Sequence, residues 1–284
     1  MKTIKTTLLL SALTLLLLAL GQAFGGPRGM TIALVFAILM NGTAYFFSDK
    51  IALASAGAKP ISREQSPRLY AVMERLAAKA SLPLPKLYLI PQAAPNAFAT
   101  GRNPRHASVA VTQGLMELMN DEELEGVIAH ELSHVRNYDI LTSSIAATIA
   151  GAVTWIAEMG RWGMIFGGFG GRDDDREGGG LAAILMLFLA PLAALLLQLG
   201  ISRQREYQAD ASGAKMVGHS QGLISALEKL GAYNKRIPMD ISPSTSALCI
   251  VAPLTAGQIL SGLFSTHPPL SDRIAQLRSM TITR

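Results

Sequence analysis

The chain has 284 residues, of which 50% are hydrophobic and only 16% charged, against roughly 25% charged in a soluble globular protein. Its mean hydropathy of +0.32 excludes a disordered protein and argues against an ordinary cytosolic enzyme, and its single cysteine, Cys249, excludes a disulfide framework or a cysteine-based metal cluster. A net charge of +5 in so apolar a chain fits basic residues flanking membrane spans, with no basic-aromatic signature for nucleic acid.

A membrane-crossing helix needs about 20 apolar residues. Residues 6–24 are almost pure leucine and alanine, and residues 30–47 end in Tyr45, Phe46 and Phe47, an interfacial aromatic belt. Lys2, Lys5 and the Gly21-Gln22-Ala23 triplet also suit a signal peptide. The apolar region is long for a signal, however, and a second span follows a short Gly/Pro turn. A retained helical hairpin is the better reading.

The polar stretch that follows has mixed local character. Leu69, Val72, Met73 and Leu76 share one face of a helix expected over residues 63–80. Residues 86–90 and 107–112 read as short strands, and the Pro-, Asn- and Gly-rich residues 94–105 as a loop or an edge strand.

His130-Glu131-Leu132-Ser133-His134 is an HExxH motif. Asn120 and Asp121 cap its helix, and Glu122 and Glu123 favour the helix dipole. Two histidines four residues apart stand on one side of that helix, within chelating reach of one ion. Glu131 sits beside them, where a carboxylate can take a proton from water. A third protein ligand is still required. His106, His219 and His267 are the remaining histidines, and no HxxGxxH extension follows His134. Glu206, in a helical stretch with Asp210 four residues on, is the better candidate. Asp210 would then accept the free N–H of a ligand histidine. The bland alternative pairs Glu206 with Arg203 or Arg205.

Two further spans decide between them. Residues 140–157 are small and hydroxyl-rich, suited to tight packing among membrane helices, and residues 181–201 are strongly apolar with a kink expected at Pro191. Two crossings return the chain to the side it left, so His134 and Glu206 can meet; one crossing would part them by a bilayer. The basic residues Lys2, Lys5, Lys50, Lys59, Arg63, Arg136, Arg203, Arg205 and Lys215 lie on one side, against Arg28, Arg161, Arg172 and Arg176 on the other. The positive-inside rule puts both termini and the polar bulk in the cytoplasm. A Gly-rich outer loop at 158–180 reads as a flexible linker, and residues 247–264 as core of the polar domain.

HELSH, a downstream Glu-x-x-x-Asp and this arrangement of spans resemble the HtpX heat-shock membrane metalloproteases. The resemblance extends to Pro95-Asn-Ala-Phe-Ala-Thr-Gly101 and to Thr266-His-Pro-Pro-Leu-Ser-Asp-Arg-Ile274. It implies a gluzincin-like zinc endopeptidase of the bacterial inner membrane, active on misfolded membrane proteins at the cytoplasmic side, in protein quality control under stress. By that similarity His130, His134 and Glu206 bind one Zn2+ per chain and Glu131 is the general base. It further makes Asn96 a substrate contact, His267 a stabiliser of the oxyanion and Arg273 its assistant at the substrate.

The expected fold is mostly α with a small β-sheet, a four-span bundle carrying a cytoplasmic protease domain. Its segments are a hairpin over 1–47, the first part of the protease domain over 48–138, two spans over 139–201 and the second part over 202–284. An edge strand near residues 96–111 would bind substrate through backbone hydrogen bonds, which suits unfolded segments. Three rivals remain: a CAAX-prenyl endoprotease, which carries more spans; a scaffold with a structural metal, which needs no Glu131; and a small-solute transporter, which calls for charged groups inside the spans.

Overall fold

The computed structural model describes residues 4–149, 203–234, 248–250 and 268–282. Helix α1 (Ile4–Ser55) is two helices joined at Gly26, whose φ of 55° and ψ of −148° reverse the chain ahead of Pro27. A positive φ here is a conformation that glycine adopts without steric cost. The two arms lie against each other: Asn41 Nδ2 donates to Thr14 Oγ1 at 2.8 Å and to the Leu10 carbonyl at 3.4 Å. The two arms form a helical hairpin, whose second arm runs past Phe47 to Ser55. Polar residues do not stop a helix, and no left-handed turn occurs until Gly57.

Among the described residues one helical stretch, Gly26–Ser55, is long and apolar enough to cross a membrane. Ile32, Val35, Phe36, Ile38, Leu39, Phe46 and Phe47 are exposed along it. A continuous apolar surface of that kind marks a lipid or partner contact. The apolar run expected from residue 140 begins as helix α5 (Asp139–Ile149). Its remainder, the outer loop and the span expected at 181–201 lie outside the described residues.

The polar domain opens with strand β1 (Lys59–Pro60) and helix α2 (Pro67–Lys79). That helix starts later than its apolar periodicity suggests, because Pro67 suits a first-turn position. Strands β2 (Lys86–Ile90), β3 (Ala97–Gly101) and β4 (Ala107–Thr112) complete a mixed sheet in the order β1-β2-β4-β3. β4 pairs parallel with β2, Val109 opposite Leu87, and antiparallel with β3, Val109 opposite Ala99. The ambiguous segment between the first strands is thus an edge strand. The Thr112 side chain accepts the N–H of Leu115 and starts helix α3 (Gln113–Leu118).

Helix α4 (Asp121–Asn137) is the centre of the domain. Asn120 and Glu123 form a reciprocal capping box, and the helix ends at Tyr138 in the left-handed conformation. Leu124, Val127, Ile128, Leu132 and Val135 are buried with Leu69, Met73, Val109 and Leu227 in one apolar core. Helices α6 (Arg203–Val217), α7 (Gln221–Asn234) and α8 (Leu270–Ser279) follow.

Two further clusters attach this domain to the hairpin. Leu13 and Ala44 pack on Leu141, Ile145 and Ile149 of α5. Ala52, Leu53 and Ala56 pack on Ile90, Phe98 and Ala110 of the sheet.

α6 approaches α4 at Gly213, where a Cβ would stand 3.0 Å from the His130 nitrogen and 3.1 Å from the Ala129 carbonyl carbon. Neither neighbour is a side chain that can swing away. Gly213 lies three residues beyond Asp210, so this contact sets the distance between the two halves of the expected site. Gly213→Val should push α6 outward, lowering the thermal unfolding midpoint. Retention of bound metal should fall on the order of 10–100-fold, as when an outer partner of a ligand is lost, although residue 213 touches no ligand atom.

Candidate metal centre

The middle of α4 is buried on every side, and His130, Glu131 and Ser133 are buried with the leucines around them. His130 and His134 are one helical turn apart, with Nε2 atoms 3.2 Å from each other. Glu206, in the first turn of α6, brings Oε2 within 3.7 Å of His130 Nε2 and Oε1 within 3.6 Å of His134 Nε2. A tetrahedral ion with ligand bonds of about 2.0–2.1 Å sets its ligand atoms roughly 3.3–3.4 Å apart. These separations are close to that size, with one Glu206 oxygen turned to each imidazole, and the three residues are a cluster able to hold one metal ion.

The outer partners point to the same conclusion. Asp210 Oδ1 accepts from His130 Nδ1 at 2.8 Å, and Asp139 Oδ2 lies 3.4 Å from His134 Nδ1. With the Nδ1 protons directed at these carboxylates, both Nε2 atoms turn lone pairs to one point. Two lone pairs 3.2 Å apart repel unless a cation or a proton lies between them. Burial opposes a charge on His130, but its hydrogen bonds to Asp210 and Glu206 outweigh this and raise its pKa to about 9. The site demands positive charge, and a divalent ion answers that demand with both imidazoles neutral.

Asp139 was not among the expected site residues. The break at Tyr138, with φ of 63°, brings it back beside His134, and Arg205 Nη1 approaches its other oxygen at 3.7 Å. A carboxylate five residues beyond an HExxH histidine is too common a feature to single out from sequence.

Arg273 is 1% exposed. Its Nε and Nη2 donate to the two oxygens of Asp210 at 2.8 and 2.7 Å, a bidentate pair behind His130. Burial opposes ionisation of Asp210, but the guanidinium beside it prevails and holds its pKa at about 2. Nη1 of Arg273 reaches the carbonyl of Ile250 at 2.7 Å. Glu131 takes the opposite shift: burial pushes its carboxyl above the ordinary range, and nearby Glu206 adds to it. The two histidines and the backbone of Ala99 oppose that rise. Asn96 is buried at the head of β3, its Oδ1 accepting from the backbone of Ala97 at 2.9 Å and of Ile250 at 3.2 Å. His267 lies outside the described residues.

The three buried carboxylates Glu131, Glu206 and Asp210 face one buried guanidinium. A divalent ion would bring this group of charges to neutrality, so the donor set fits a bound dication in charge as well as in size.

Arg273→Met should leave Asp210 ionised in the core without its main partner. Removing one member of a buried ion pair costs about 3–5 kcal/mol, which thermal unfolding would register as a lowered midpoint. The sign with pH follows from the depressed pKa of Asp210. Its contribution is fully present above the ordinary value of about 3.9 and is lost as the pH falls through about 2.

Comparison with known proteins places this geometry. Residues 63–281 match the description of peptidase family M48. A protease HtpX homolog of Desulfatibacillum aliphaticivorans is 57% identical over 96% of this chain and 88% of its own length. The protease HtpX homolog of Syntrophotalea carbinolica is 50% identical over 99% of this chain and 100% of its own. The crystal structure of S. mikatae Ste24p shares the fold, with a TM-score of 0.54 at 22% identity over 97% of this chain and 65% of that one. With its His-His-Glu cluster and apolar hairpin, the chain belongs to peptidase family M48, among the HtpX-type membrane metalloproteases.

Proposed function

We propose that this enzyme is a zinc endopeptidase of the bacterial inner membrane that cleaves misfolded or damaged membrane proteins at the cytoplasmic face. The observation that carries the reading is the cluster of His130, His134 and the Glu206 carboxylate, with donor atoms 3.2 to 3.7 Å apart, and Glu131 next to His130 in the same helix. Two imidazoles and a carboxylate, leaving a fourth position open, are the donor set of catalytic zinc. When bound there, zinc supplies Lewis-acid activation of water and of the scissile carbonyl.

The chain's own residues do the rest. Glu131 accepts the proton of the attacking water and hands it to the leaving amine. Its raised pKa suits a group that must both take and return a proton. Asp210 and Asp139 fix the tautomers of the two histidines, and Arg273 holds Asp210 ionised. Asn96 and Arg273 bind the substrate backbone on either side of the cleft. His267 donates to the oxyanion as the carbonyl is attacked. Backbone recognition at the β3 edge reads little side-chain sequence, which suits unfolded segments as substrates.

The membrane arrangement supports the cytoplasmic assignment. α4 and α6 pack together, so the chain between them returns to the side it left, in keeping with two spans within 139–201. Together with the 1–47 hairpin this gives four spans, with the protease domain divided between 48–138 and 202–284. The basic residues flanking the spans put that domain and both termini in the cytoplasm.

Glu131→Gln should keep metal and fold but lose proteolysis of an unfolded membrane substrate by about 10²–10⁴-fold or more; near-normal turnover would remove Glu131 from the mechanism. Glu206→Gln should lower zinc content measured on the purified protein, whereas Glu177→Ala should leave it unchanged.

Orientation can be read separately by cysteine labelling of intact cells in a Cys249→Ser background. Probes at Gly170 and Gly179 should react with an impermeant reagent, and a probe at Ser212 only after the membrane is opened. Labelling of position 212 from outside would invert the enzyme.

A further inference from the structure

β3 is an edge strand packed against α4, the helix that carries the general base, and its outer side pairs with no other strand of the described sheet. That outer side is already occupied by the chain itself. The N–H of Ile250 is shared between the Ala97 carbonyl at 3.2 Å and Asn96 Oδ1 at 3.2 Å. The carbonyl of the same residue accepts from Arg273 Nη1 at 2.7 Å. Both backbone polar groups of one residue are therefore held by groups of the cleft, with the segment in a turn rather than an extended conformation.

The flanking side chains anchor this peptide. Leu248 packs against Ala52, Leu53 and Phe98, where the second hairpin arm meets the sheet. Ile250 is buried in the main core with Leu132 and Leu277. Cys249 between them is buried. Burial raises its thiol pKa, and the Glu131 carboxylate is near enough to raise it further.

We propose that Leu248–Ile250 is a built-in pseudosubstrate, seated on the β3 edge where a substrate strand would bind and displaced from it before cleavage. The resting enzyme is autoinhibited, and its apparent affinity for substrate is reduced by the fraction of molecules in which the segment is seated. This rests on the reading above, in which Glu131, Asn96 and Arg273 serve the substrate.

The chain's only thiol reports the state of the segment. In metal-loaded, full-length Glu131→Gln protein in lipid nanodiscs, alkylation of Cys249 should be slow. It should accelerate at least tenfold as a fluorescent unfolded apolar peptide saturates the enzyme, with saturation followed by polarisation. Peptide saturation without faster alkylation overturns the proposal.

Leu248→Ser, on an otherwise wild-type chain, loosens the anchor without touching a ligand or a backbone hydrogen bond of the cleft. It should speed alkylation without peptide and lower KM roughly three- to tenfold, about the worth of one ordinary interaction, with kcat little changed. An unchanged KM in the folded, metal-loaded variant also overturns it. Cleavage by wild type with Cys249 protected throughout defeats the pseudosubstrate alone. Metal-loaded wild type and Leu248→Ser that both fail to cleave any substrate defeat the protease reading with it.

Discussion

The buried pair between Asp210 and Arg273 is the interaction on which the rest of the site depends. A carboxylate out of water is costly unless it is paired and fully hydrogen-bonded, and Asp210 has Arg273 on both oxygens and His130 on one of them. Satisfied in this way, it can stay ionised behind a histidine whose other nitrogen faces the ion. The same guanidinium extends a third N–H into the cleft, to the Ile250 carbonyl. One residue of α8 therefore ties the rear of the metal centre to its substrate side.

Position in this site is a matter of backbone distance as much as of charge. α4 presents both histidines from one turn, but the third ligand comes from a helix that follows residues 139–201. A glycine at 213 lets the two backbones meet closely enough for a carboxylate of ordinary length to reach the ion. The sheet adds the opposite wall, since β3 packs on α4 while Thr100 bonds Ser144 of α5 at 2.7 Å. Because α5 also packs against the hairpin, the catalytic edge and the apolar helices share one mechanical unit.

Much of this was legible in the residues themselves. The HExxH chelate follows from the 3.6-residue period of one helix, and its start from a capping box visible at Asn120 and Glu123. Strands β2 and β4 were legible too, from β-branched and aromatic residues between turn formers, whereas β3 stood open between loop and edge strand and the two-residue β1 gave no signal. Glu206 and Asp210 had the right spacing for one helix face, yet spacing alone could not set them apart from a solvated Glu–Arg pair. Only the expectation that the chain returns across two spans, and the family resemblance, favoured them.

What the tertiary structure decided are contacts between residues far apart in sequence, to which no local pattern corresponds. Arg273 was singled out only by the family resemblance, at the substrate; it is buried because Asp210, 63 residues earlier, compensates its charge. Asp139 becomes a partner of His134 through a single left-handed residue at Tyr138, a conformation that a tyrosine in sequence does not announce. Cys249 and Ile250 belong to a stretch readable only as apolar core. Their seat on β3 depends on hydrogen bonds from backbone atoms, which every residue carries alike. Side-chain identity therefore determined the chemistry of the ligands and the base, while the approach of separate backbones decided which charges are buried together and what lies in the cleft.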